Sequence, residues 1–129
     1  DRIYMPSMER FKDSDSYYAV LLHELTHYTM REGRCPRKFR SSISGIANYA
    51  REELIAELGA AFLCADLQIS LTPRSDHAEY IANWLEILRN DKRAIFQAAA
   101  TAQRATDFLH SLQHLEAKEN SDEVIRKIA

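Results

Sequence analysis

The sequence predicts a mainly α-helical domain, of α+β type only through one short edge strand or small antiparallel sheet near the N-terminus. Three observations carry this. Only three glycines and three prolines occur in 129 residues, few for a domain built on strands and tight turns. Alanine and leucine are abundant, and both favour helices. Apolar residues recur at three- and four-residue intervals through several long segments. The length fits one domain. The expected division is a folded domain over residues 1–115 and a polar tail over 116–129.

The elements follow in order. Arg2-Ile3-Tyr4-Met5 alternates and stops at Pro6, which predicts the edge strand. Ser14 or Asp15 is the expected cap of a first helix from about Tyr17 to Met30, broken by Gly33 and Pro36. Residues 31–47 read as a loop. Arg31, Arg34, Arg37, Lys38 and Arg40 stand there against one acid, Glu32, which reads as a solvated basic loop. A second helix is expected from Asn48 to about Leu67. Gly59 inside it costs about 1 kcal/mol relative to alanine, so close packing of backbones is its expected reason. Asp76 and Glu79 form a capping box for a third helix, His77 to Arg89. A fourth runs from about Lys92 to Leu112, with a core stripe of Ile95, Ala98, Ala99, Ala102, Ala105 and Leu109.

Composition excludes some functions. A net charge of -2 argues against a domain that is basic all over. No run of about 18 apolar residues occurs, so no membrane partner is expected. Cys35 and Cys64 form no CxxC pair and fit free thiols in a reducing compartment, hence a cytoplasmic location. The chain opens Asp1-Arg2-Ile3-Tyr4 without a starting methionine, and the expectation is a segment of a longer protein.

The chemistry concentrates in Leu21-Leu22-His23-Glu24-Leu25-Thr26-His27. Helix positions four apart share a face, with Cβ atoms about 5–6 Å apart, so His23 and His27 can reach one cation. Zn–N bonds of about 2.0–2.1 Å fit that bite. Glu24 points toward the same cleft and suits a general base acting on a metal-activated water. A catalytic zinc site needs a third protein ligand. Glu53 and Glu57 lie one turn apart on a face continued by the small residues Ala56, Ala60 and Cys64. One of the pair, with Glu53 favoured, completes the ligand set. The other is left to hold the free ring N–H of a ligating histidine. Glu52 reads as a solvated acid. His77 and Tyr80 are candidates for oxyanion or substrate contacts, although a helix-end histidine with no catalytic role and a packed tyrosine are the favoured reading of each. His110 and His114 repeat the four-residue spacing without neighbouring acids and read as a solvated face. Cys64 reads as a buried structural thiol.

The blocks HELTHYT, YAREELIAELGAAFLCADLQI and HAEYIANWLEILRNDKRAIFQAAATAQRATDFL together resemble the C-terminal zincin-like metallopeptidase domain of ArdC-type antirestriction proteins. Asp1-Arg2-Ile3-Tyr4-Met5-Pro6 and the Tyr17-Tyr18 pair share in the likeness, which covers residue 1 to about 110. The resemblance implies Zn2+ held by His23 and His27, with Glu24 as catalytic glutamate. It reads Glu53-Leu54-Ile55-Ala56-Glu57 as an ExxAD ligand helix in which Glu57 replaces the aspartate. Tyr28 and Met30 depart from the tryptophan and glycine usual there. It also implies a mobile-element origin and an upstream single-stranded-DNA-binding domain. The expected function is therefore a zinc metallopeptidase acting on a peptide or protein. Against it stand a non-catalytic zinc module that helps protect DNA from host restriction, and a metal-free helical domain.

Overall fold

The computed structural model describes residues 2–37, 45–69, 84–86, 88–89 and 91–128, with side chains as far as residue 113. Three long helices form its body. They are α1 (Ser14–Tyr28), α2 (Gly45–Asp66) and α3 (Ala94–Ile128), preceded by a single 3-10 turn at Met8–Arg10.

Helix α1 begins earlier than the sequence predicts. Its cap is Asp13, not Ser14 or Asp15: the Asp13 side chain accepts from the Ser16 backbone N–H at 2.7 Å and from the Ser16 hydroxyl at 2.6 Å. This ties down one of the donors that a helix start leaves without a partner. The other end closes at Thr29, and Gly33 follows at φ +86, a left-handed conformation that glycine adopts at no steric cost.

Among the described residues there is no strand. Residues 2–7 take no regular secondary structure, so the expected edge strand is not there. Alternation in four residues is a weak signal, and a strand exists only where a neighbour completes its ladder. No described segment offers one.

Helix α2 lies against both α1 and α3, which touch each other less. Small residues allow this. Ala50, Ala56, Ala60 and Cys64 on α2 and Ala94, Ala98, Ala102 and Ala105 on α3 are all buried. Leu22, Ala60, Leu63 and Cys64 make one apolar cluster, with Leu109 of α3 packed on it. Ala50 and Ala94 make a second, covered by Trp84 and Leu88. Trp84 and Leu88 belong to the described helical residues 84–86 and 88–89 of the expected third helix; residues 77–83 and 87 lie outside the described set.

Gly59 sits where α2 crosses α1. A Cβ built there would lie 2.5 Å from Thr26 Cγ2 and 2.7 Å from Thr26 Oγ1. Any side chain would push the helices apart, so the expectation of close backbone packing holds. Helix α3 runs on through Leu112 to Ile128. No glycine or proline interrupts it there, so the local sequence supplies no stop.

The stretch after α1, described as far as residue 37, is only in part the solvated basic loop the charge count predicts: Arg31 is exposed, while Arg34 and Arg37 are partly covered. It folds back on the helix end. The Cys35 N–H donates to Thr29 O at 2.8 Å, and Arg34 donates to Tyr28 O at 2.7 Å while stacking 3.4 Å over the Tyr28 ring. The Arg37 side chain is buried. Lys38 and Arg40 lie outside the described residues.

Candidate metal centre

The α1–α2 crossing brings His23 and His27 of α1 against Glu52, Glu53 and Glu57 of α2. The contact begins with helical phase. His23 and His27 are one turn apart, as are Glu53 and Glu57, and Thr26 and Gly59 fix how closely the two rows meet.

The two imidazoles turn their Nε2 atoms toward each other at 3.1 Å. Glu53 faces both, with one carboxylate oxygen 3.6 Å from His23 Nε2 and the other 3.4 Å from His27 Nε2. His23, His27 and Glu53 thus each present a donor atom to one centre. Zinc–ligand bonds of about 2.0–2.1 Å in a tetrahedron put ligand atoms about 3.3–3.4 Å apart, which these separations match.

Carboxylates also flank the outer ring nitrogens. Glu57 Oε1 lies 3.1 Å from His23 Nδ1, and Glu52 Oε1 lies 3.0 Å from His27 Nδ1. An ionised carboxylate only accepts, so Glu52 takes the hydrogen at His27 Nδ1. Glu57 stands close to His23 Nδ1 at an angle that makes no hydrogen bond. The His27 Nε2 is then left as a lone pair, and Glu53 adds only acceptors. Acceptors crowd one point, and no donor among the described residues is seen directed at it. A divalent cation resolves that crowding, and the residues present fit one.

Without a metal, protons must do the same work. Burial pulls the His27 imidazole down, but Glu52 and Glu53 outweigh it and raise its pKa to about 9. His23 is raised for the same reason: burial opposes, and Glu53 and Glu57 prevail. Burial pushes the Glu53 carboxyl up, yet the facing imidazoles hold it well below its ordinary range.

Glu24 lines the same open pocket, of about 430 Å³, together with the histidines, the three α2 glutamates, Met30 and Tyr49. Glu57 faces the outer nitrogen of His23 rather than the shared centre, so its extra methylene does not keep it from that nitrogen. His77 and Tyr80 lie outside the described residues. His110 Nε2 is 3.0 Å from Asp66 Oδ2, a surface pair between α3 and the end of α2. The His114 side chain is outside the described set. Cys64 is buried in the core, and burial raises its thiol pKa.

Two residues were misread from sequence. Glu52 is not solvated, since its side chain is 7% exposed. The Arg37 side chain, 6% exposed, pairs with it at 3.0 Å. A signal for Glu52 existed: it is one turn before Ala56 and two before Ala60, on the stripe that becomes buried. Arg37 had none, because its partners are fixed only by the fold.

Comparison with known proteins agrees with this geometry. A family model described as a zincin-like metallopeptidase matches residues 1–101. An uncharacterised protein, y4eC, of Sinorhizobium fredii is 49% identical over 113 residues, covering 88% of this chain and 36% of that protein. Two Escherichia coli proteins named DNA primase TraC are 36% and 34% identical, covering 94% and 92% of this chain. The chain spans only 11% and 8% of their lengths. No solved structure gives a significant match.

Proposed function

The chain belongs to the zincin-like metallopeptidase family, and from that premise we propose that it is a zinc-dependent peptidase domain. His23, His27 and Glu53 hold the metal, and Glu24 is the general base. The observation that carries this reading is the meeting of two imidazole Nε2 atoms and one carboxylate at a single centre beside an open pocket.

Zinc held by His23, His27 and Glu53 would supply Lewis acidity toward the scissile carbonyl and would make a water beside it easier to deprotonate. The rest falls to the protein. Glu52 fixes the His27 imidazole in the tautomer that leaves Nε2 free. Glu24, next to His23 in sequence and on the pocket wall, accepts the proton of the attacking water. It then returns that proton to the leaving amine. The substrate in this reading is a peptide or protein chain.

The test is Glu24→Gln, which keeps the side-chain shape and removes the base. Zinc content should equal that of the wild type, and cleavage of a peptide library should fall at least about 100-fold, the usual worth of a general base. Undiminished cleavage by that variant would contradict the mechanism.

A second reading has its own observation: two relatives carry the name DNA primase, and the chain matches a small part of each. In it the module keeps zinc without turnover and works beside a DNA-binding domain, in the manner of antirestriction proteins. DNA protection would then survive Glu24→Gln. A strict need for that carboxylate would exclude this reading.

A further inference from the structure

The guanidinium of Arg37 pairs with Glu52, the acid behind His27. Its Nη2 donates to Thr26 O and to Thr29 Oγ1, each at 3.1 Å. Its Nη1 stands 3.0 Å from Glu52 Oε1. That same oxygen accepts from His27 Nδ1 at 3.0 Å. One carboxylate oxygen therefore joins a buried arginine side chain to a ring nitrogen, while the arginine is fastened to the last turn of the helix that carries the ring.

We propose that Arg37 is a positioning residue for the metal centre, holding Glu52 aimed at His27 Nδ1 so that the ring keeps its Nε2 turned inward. The inference rests on the reading of His23, His27 and Glu53 as metal ligands. Its physics is that of a buried charge. Glu52 is nearly excluded from water, and without a partner its buried carboxylate would swing out to solvent. That change frees the His27 ring to rotate and turns its Nε2 away from the centre. Arg37 prevents it by giving Glu52 a counter-charge fastened to the end of α1. An arginine suits this task better than a lysine. Its planar fork spans Glu52 on one nitrogen and the end of α1 on another, and a single ammonium cannot hold both in that geometry.

The experiment measures zinc affinity by competition with a chromophoric chelator, starting from metal-free protein. It compares wild type with Arg37→Ala, Arg37→Lys, Glu52→Gln and the Arg37→Ala/Glu52→Gln double variant, and helicity by circular dichroism shows that each is folded. Arg37→Ala and Glu52→Gln should each weaken binding about 10–100-fold, the usual effect of losing a group that orients a ligand. The double variant should bind no more weakly than Glu52→Gln, because Arg37 acts through that carboxylate. Arg37→Lys should retain helicity and still bind zinc more weakly than wild type, so a test remains if the alanine variant does not fold. Wild-type affinity in folded Arg37→Ala or Arg37→Lys, or losses that multiply in the double variant, would overturn the role of Arg37. A wild type that binds no zinc would instead overturn the metal centre itself, so the two failures are distinct.

Discussion

Protons and a metal ion compete for the same imidazole lone pairs, and the residues of the centre set the terms. His27 in the metal-free protein has a pKa near 9, raised from 6.5, and Glu53 is held below its ordinary 4.5. A histidine raised on folding stabilises the fold fully below 6.5, and that contribution is lost as pH climbs through about 9. A depressed glutamate stabilises above 4.5, and its contribution is lost as pH falls further. Metal-free protein should therefore be most stable between about pH 4.5 and 6.5, while zinc affinity should rise from 6.5 toward 9 as the competing proton leaves. Thermal melts and chelator competition across that range check both, and a zinc affinity flat from pH 6.5 to 9 would contradict the arrangement. At this scale sequence spacing pointed to His23, Glu24, His27, Glu53 and Glu57, because one-turn pairs are local geometry. It misread Glu52 and Arg37, whose burial depends on a contact between segments distant in the chain.

At the scale of the elements, the site depends on how closely α1 and α2 approach. Thr26 is fully buried, its hydroxyl donates to Leu22 O at 2.9 Å, and its branched side chain has little freedom to turn. Gly59→Ala must therefore move a helix rather than a rotamer. Overpacking costs about 1–3 kcal/mol, partly offset by about 0.5–1 kcal/mol of helix propensity. The expected result is a lower melting midpoint and weaker zinc binding together, since His27 is the residue after Thr26. Adding Thr26→Ala should restore both. A midpoint and affinity unchanged by Gly59→Ala would show that this crossing does not set the site. The crossing was legible as a glycine out of place in a helix. The start of α1 was not: Asp13-Ser14-Asp15-Ser16 offers several residues able to cap, and only the folded backbone selects Asp13.

For the molecule as a whole, α2 between α1 and α3 is the organising feature, and its small residues let both neighbours approach closely. The helical class was readable from composition and periodicity. The edge strand was not, since pairing cannot be read from one short alternation. No helix among the described residues is long and apolar enough to cross a membrane. The relatives are longer than this chain, so substrate and partners belong to the proposed function rather than to the fold. Everything proposed for the domain requires a divalent ion at the α1–α2 seam. The most direct test is an anomalous-difference map at the zinc absorption edge, from crystals of protein loaded with zinc. The account predicts one strong peak bonded to His23 Nε2, His27 Nε2 and a Glu53 oxygen. A map with no peak there, or with zinc held by other side chains, would contradict it.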